Sequence, residues 1–119
     1  MLIRDQLQQE KICKRFNADF LEAPPDLILG VSRSAKELIT PLNGLRHPPD
    51  SGSTGWFIWG GEDYSEDPDF FEPLCVKHLH NWCPNIIPYL GLAPGWRFLV
   101  AKDYEDVWFD KTLLVLNDE

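Results

Sequence analysis

The sequence predicts an α+β fold, in which a mostly antiparallel sheet carries an N-terminal helix and a central helix packed on it. Two observations lead to this prediction: an N-terminal segment with helical periodicity, and later short runs of branched and aromatic residues. The length of 119 residues matches one domain, and 44% hydrophobic residues supply enough apolar surface to offset the entropy of folding. We therefore expect residues 1–119 to form a single domain.

Residues 1–17 are predicted to form an amphipathic helix. Positions 2–16 contain neither Gly nor Pro, and a rotation of about 100° per residue gathers several polar side chains into one wedge. Cys13 lies near the opposite side, so we expect it to be a core residue rather than a reactive thiol. The polar wedge contains Arg4, Gln8, Lys11 and Arg15.

Two apolar runs are predicted strands. Residues 27–31 are rich in branched side chains and are bounded by turn-forming residues. Residues 56–59 are four large apolar side chains in a row, which is typical of a strand buried on both faces. Between these runs, residues 40–55 are dominated by Pro, Gly, Asn and Asp, so we expect a long loop there.

The second half of the chain is predicted to begin with helical structure. Pro73 suits the first turn of a helix, and we expect this helix to run to about Trp82. Residues 84–91 space their Ile and Leu side chains as one or two helical turns do.

A β-hairpin is predicted near the C-terminus. The apolar runs 96–101 and 107–109 flank the polar residues 102–106, as two strands flank a turn. Residues 113–116 are expected to add a short final strand.

Charge limits the classes of partner. The chain has 11 basic and 19 acidic residues and a net charge of −8 at pH 7. Since nucleic-acid binding needs basic residues that neutralise phosphates, we expect no nucleic-acid partner. The longest uncharged run, residues 78–96, is interrupted by three prolines, so we expect no membrane span. Three cysteines and an N-terminus without a signal-peptide pattern favour a cytoplasmic protein with free thiols.

The candidate metal ligands are close together in the sequence but are not expected to converge. On a helix that begins at Pro73, His78 and His80 project about 160° apart, too far to bind one ion together with Cys75 and Cys83. The glycines do not form a phosphate-binding loop or a nucleophile elbow. We therefore expect no metal, no cofactor and no enzymatic activity.

The acidic residues are concentrated after the aromatic strand, where residues 62–72 hold six acids and no base. Three interpretations remain open: a solvated loop, a paired-carboxylate hydrolase that acts on a glycan through Glu62 and Asp63, and a surface that attracts a basic protein. In the third, either Trp56 or Trp59 is an anchor, since residues three apart on a strand point to opposite faces. The acids of this predicted binding surface are Glu62, Asp63, Glu66, Asp67 and Asp69.

Several short motifs occur in a fixed order over roughly residues 25–116. They read GLRHPPD at 44–50, GWFIWGGED at 55–63, DPDFF at 67–71, CPNIIPYLG at 83–91, PGWRF at 94–98 and YEDVWF at 104–109. In this order they resemble the bacterial immunity-protein thirty-three-like family of polymorphic toxin systems.

The resemblance implies a small α+β protein that binds a cognate toxin and blocks it in the producing cell or its kin. Many toxins of such systems act on nucleic acid and are basic, so a basic, nuclease-like toxin would suit the acidic surface. A housekeeping interaction domain with a different protein partner is the remaining alternative.

Overall fold

The computed structural model describes residues 3–62, 67 and 69–115. Its sheet has six strands, β1 (Ile28–Ser32), β2 (Leu42–Arg46), β3 (Ser53–Gly60), β4 (Phe71–Cys75), β5 (Trp96–Ala101) and β6 (Tyr104–Phe109). Across the sheet they lie in the order β4-β1-β3-β2-β5-β6. Only β1 and β3 run parallel, and the other four neighbouring pairs are antiparallel. The predicted α+β fold with a mostly antiparallel sheet is confirmed.

The predicted N-terminal helix is present as α1 (Ile3–Phe16), with an acid in its first turn and bases in its last turn that suit the helix dipole. The other helical segments are short: the α-helical turns α2 (Arg33–Lys36) and α3 (Leu79–Trp82), and the 3₁₀ segments Val76–His78, Pro84–Tyr89 and Lys111–Leu114. None of the helices in the described ranges has the length and apolar character needed to cross a membrane.

One face of the sheet carries the main core and is called the helical face. It is the face of Leu29, Trp56 and Phe98, whose side chains are buried against residues from α1, α3 and the 3₁₀ segment Pro84–Tyr89. Cys13 of α1 is part of this core, as predicted, and burial raises the pKa of its thiol to about 11. This thiol donates to the carbonyl of Gly91 at 3.4 Å, which explains why a cysteine is accommodated there.

The predicted loop over residues 40–55 is wrong, because β2 and the start of β3 lie within it. All five residues of β2 are buried, and this strand is paired with β3 on one side and β5 on the other. Pairing on both edges outweighs the weak strand propensity of a Gly- and Asn-containing segment. Gly44 is required by packing, since a Cβ there would lie 2.2 Å from the Phe98 ring.

The helix predicted from Pro73 is wrong in its first part, because Pro73 lies in β4. This strand is at the edge of the sheet, where a residue without an N–H is tolerated. Helical structure begins only at Val76, in a 3₁₀ turn, and continues through α3 to Trp82. The predicted helical turns at 84–91 are confirmed by the 3₁₀ segment Pro84–Tyr89.

The predicted hairpin is confirmed, with a shorter turn than expected, since residues 104–106 pair with β5. The final strand predicted at residues 113–116 is wrong over its described residues, because Lys111–Leu114 is a 3₁₀ helix. Asp110 caps this helix: its carboxylate accepts from the Thr112 backbone N–H at 3.0 Å.

Arg46, the last residue of β2, is fully buried with 1% of its surface exposed. Its guanidinium donates to five backbone carbonyls and lies over the ring of Trp56, 5.6 Å from the centroid. Burial lowers the pKa of Arg46 to about 10. The five acceptors are the carbonyls of Leu21, Glu22, Thr54, Leu90 and Leu92, at 2.8 to 3.3 Å. Arg46 therefore ties the segment after α1 to β3 and to the segment before β5.

Candidate partner-binding face

The second face of the sheet, called the open face here, is defined by the side chains that alternate with those of the helical face. Four residues that are paired across adjacent strands form a row on this face. They are Phe57 of β3, Leu45 of β2, Arg97 of β5 and Trp108 of β6. Leu45, Phe57 and Trp59 belong to a second, smaller hydrophobic cluster. Within the described ranges, no α-helix contributes a residue to that cluster.

The C-terminal 3₁₀ helix covers part of the open face. Leu113 packs into the small cluster, and a ring nitrogen of His47 lies 3.2 Å from the Leu113 carbonyl oxygen. Arg97 pairs with Asp110 at 3.1 Å, and hydrogen bonds from Thr112 and Arg97 lower the pKa of the Asp110 carboxyl. These contacts fix the helix on the face, while Phe57 and Trp108 are only partly buried beside it.

Residues 62–72, called the acidic segment here, begin just after β3 and end inside β4, and the structure describes residues 62, 67 and 69–72 of them. Phe70 anchors the segment, because its ring packs edge-to-face on Phe71 at 4.8 Å and Phe71 packs on Phe57 at 5.1 Å. A turn precedes this anchor: the N–H of Asp69 donates to the Asp67 carboxylate at 2.9 Å, and the N–H of Phe70 donates to the Asp67 carbonyl at 2.9 Å. The turn directs an aromatic ring toward the sheet and leaves both acids at the surface.

The predicted binding acids fall into two groups. Glu62, Asp67 and Asp69 are exposed, as a surface that attracts a partner requires. Asp63 and Glu66 lie outside the described residues. At the end of the segment, Glu72 forms an ion pair with Lys36 at 2.7 Å, and that hydrogen bond lowers the pKa of the Glu72 carboxyl.

The two tryptophans point to opposite faces of β3, as predicted, but neither is an exposed anchor. Trp56 is 0% exposed, and its indole N–H donates to the Leu90 carbonyl at 3.0 Å. Trp59 is 5% exposed and belongs to the small cluster. The anchor role predicted for one of them is therefore wrong for this structure, in which both are core residues.

Aromatic residues that the sequence did not single out occupy the open face instead. Tyr104 is 57% exposed, and the register of β6 places it on the same face as Trp108. The guanidinium carbon of Arg97 lies 5.4 Å from the Trp108 ring centroid, a cation–π contact between neighbouring residues of β5 and β6. The alternation of side chains along β6 is the sequence signal for this placement, and it depends on where the strand begins and ends.

The candidate metal ligands are dispersed. His80 lies 2.8 Å from the Asp5 carboxylate, Cys83 is buried in the main core, and Cys75 lies in β4 rather than on a helix. In the part of the chain that the structure describes, no three His, Cys, Asp or Glu side chains are grouped as a metal site.

The paired-carboxylate interpretation gains no support from the position of Glu62. A cavity of about 780 Å³ lies on the other side of the sheet, and Glu62 is not among its lining residues. Since a hydrolase of that type needs an acid inside a concave site, the exposed position of Glu62 suits a protein contact better.

The comparison with protein families agrees with the motifs. The family model of the Imm33-like domain matches residues 8–110, a span that contains all six strands, the acidic segment and most of α1. No curated protein and no solved structure matches the chain. The resemblance indicated by the ordered motifs is thereby confirmed, and the chain belongs to the Imm33-like domain family.

Proposed function

We propose that this protein neutralises a cognate bacterial toxin by binding it directly, without catalysing a reaction. Membership of a family named for an immunity protein supports the general role. The observation that carries the proposal is the open face itself. Phe70 packs on the aromatic residues of this face, and the acids just before it in the chain, Asp67 and Asp69, are exposed. The proposed site of action is the cytoplasm of the producing cell or its kin.

Charge supports a basic partner. Residues 50–119 contain thirteen acids and four bases, and the acidic segment contributes six of those acids. A surface of one sign attracts a partner of opposite sign over distances of about a Debye length, and this raises the association rate. A basic, nuclease-like toxin, which must itself attract phosphates, fits this surface.

The size of the open face supports a contribution of the acidic segment to the proposed interface. Six strands about 4.8 Å apart span roughly 24 Å, and strands of this length extend about 18 Å, so the face measures about 430 Å². A stable protein interface buries about 800 Å² on each partner. The sheet therefore supplies at most about half of such an interface, since the C-terminal 3₁₀ helix covers part of it, and we assign the remainder to that helix and the acidic segment.

Within this interface the two parts have different roles. Charged groups at the rim steer the encounter and contribute modestly to affinity, whereas desolvated aromatic groups near the centre contribute most of the binding free energy. Phe57 and Trp108 are the aromatic residues of the central row and are only partly buried, so we assign them the role of apolar contact. Glu62, Asp67 and Asp69 are assigned the role of attraction.

Co-expression with each toxin encoded beside the gene tests the proposal. We expect growth to be restored with one of these toxins, and the two proteins to co-purify. Titration of that toxin's activity distinguishes binding from catalysis: a stoichiometric inhibitor abolishes activity at about one equivalent, whereas an enzyme does so at a small fraction of one equivalent. Absence of both rescue and complex with every neighbouring toxin contradicts the proposal.

A further inference from the structure

A cleft of about 780 Å³ lies on the helical side of the sheet, away from the open face. It is bounded by the first turn of α1, by the 3₁₀ segment Pro84–Tyr89 and by the end of β5. Its volume lies within the range of about 300–1,000 Å³ that is common for small-molecule sites. Several apolar side chains line it, among them Ile87, Pro88 and Val100.

Among the described residues, one acid lines the cleft, and it already has a partner. Asp5 is 3% exposed, and its carboxylate lies 2.8 Å from Nε2 of His80. This contact compensates the buried carboxylate and fixes the orientation of the imidazole ring, which is itself exposed and also lines the cleft. The Asp5 carboxylate therefore already has a hydrogen-bond partner within the protein.

Two cations line the same cleft, Arg4 at its α1 side and Lys102 at its β5 side. The ion pairs found among the described residues engage Arg15, Lys36, Lys77, His80 and Arg97, and neither of these two. Arg4 and Lys102 thus share a cleft without a carboxylate partner in the described part of a chain whose net charge is −8. Such a pair favours an anion.

We propose that this cleft binds a small organic anion, with its carboxylate or phosphate group between Arg4 and Lys102 and its apolar body against Ile87, Pro88 and Val100. Arginine and lysine supply charge-assisted hydrogen bonds to either kind of group. The apolar wall favours a ligand with a ring or a short hydrocarbon part over a bare inorganic ion. This inference is independent of toxin binding, which involves the other side of the sheet.

The three histidines allow a site-specific test by NMR. His80 lines the cleft, His47 lies at the open face, and His78 is exposed outside the cleft. The probes are phenyl phosphate, benzoate and, as the uncharged match, benzyl alcohol. We expect at least one of the two anions to shift the ring signals of His80 saturably, with the signals of His47 and His78 unmoved, and benzyl alcohol to bind more weakly.

Paired variants assign the charge contribution. Arg4→Gln combined with Lys102→Gln is expected to weaken anion binding about tenfold or more, since it removes two charge-assisted contacts. Lys11→Gln combined with Lys14→Gln removes the same charge from α1 outside the cleft and is expected to leave the affinity within about twofold. All four side chains belong to exposed residues, so both variants are expected to fold, which a thermal melt checks.

The relative affinities of phenyl phosphate and benzoate identify the preferred anionic group, and a preference for either supports the proposal. Three results would overturn it: no saturable shift of His80 with either anion, an equal response to benzyl alcohol, or equal weakening by the two paired variants.

Discussion

Replacing Arg46 with methionine is expected to lower the free energy of unfolding by about 3–5 kcal/mol, since each buried acceptor that is left without a hydrogen bond costs about 1–3 kcal/mol. Methionine retains much of the volume but no donor, so five backbone carbonyls lose a hydrogen bond. The contacts to Thr54, Leu90 and Leu92 are the buried ones. Urea unfolding monitored by tryptophan fluorescence measures the change. The effect is large because Arg46 joins three segments that are distant in sequence.

Two further variants make this expectation specific. Arg15→Met removes an arginine that is 55% exposed and pairs with Glu105 at the surface, so it is expected to cost less than about 1 kcal/mol. Arg46→Lys retains the charge but not the planar array of donors, and an intermediate loss is expected. A change below about 1 kcal/mol for Arg46→Met would show that the buried guanidinium contributes little net stability.

Reversing two acids of the acidic segment is expected to slow association with the cognate toxin by about 10-fold to 1,000-fold at low salt. The variant combines Glu62→Lys with Asp69→Lys and keeps Asp67, whose carboxylate accepts from the backbone N–H of residue 69. The turn that positions Phe70 is thereby preserved. Stopped-flow fluorescence at several salt concentrations measures the association rate, and the difference from the parent protein should shrink as salt rises.

The matched control reverses two exposed acids elsewhere, Glu10 of α1 and Glu22 in the segment that follows it. Both variants change the net charge equally, so any general effect of net charge appears in both. We expect the control to slow association much less, because its charges lie away from the open face. Equal association rates for the two variants would show that the acidic segment is not part of the recognition site.

The elements predicted correctly from the sequence are those with strong local patterns. The first helix has a polar wedge and no helix breaker, the central strand has four consecutive large apolar residues, and the hairpin has two apolar runs around a polar turn. In each case local preference and tertiary packing favour the same structure.

The elements that were mispredicted are those where the rest of the fold outweighs local preference. Gly44 and Asn43 disfavour a strand, yet β2 is paired along both edges. Pro73 suits a helix start, yet an edge strand accepts it just as well. At the C-terminus, the cap by Asp110 favours a 3₁₀ turn over a strand.

The candidate sites were predictable only in part. An excess of acids after an aromatic strand is visible in the sequence, and three of those acids are exposed as expected. Trp59 is buried and Tyr104 is exposed because of the side chains that cover the open face. The spacing of residues in the sequence does not predict which side chains these are. The burial of Arg46 was missed for a related reason: arginine is almost never fully buried, and its acceptors are carbonyls of segments distant in sequence.

Oxidative footprinting of the complex with the toxin tests the central claim most directly. Tyr104 on the open face is 57% exposed and Leu7 of α1 is 54% exposed, so the two side chains start from nearly equal accessibility. We expect the toxin to protect Tyr104 and Trp108 from oxidation and to leave Leu7 unchanged. Protection of Leu7 with continued oxidation of Tyr104 would contradict binding through the open face.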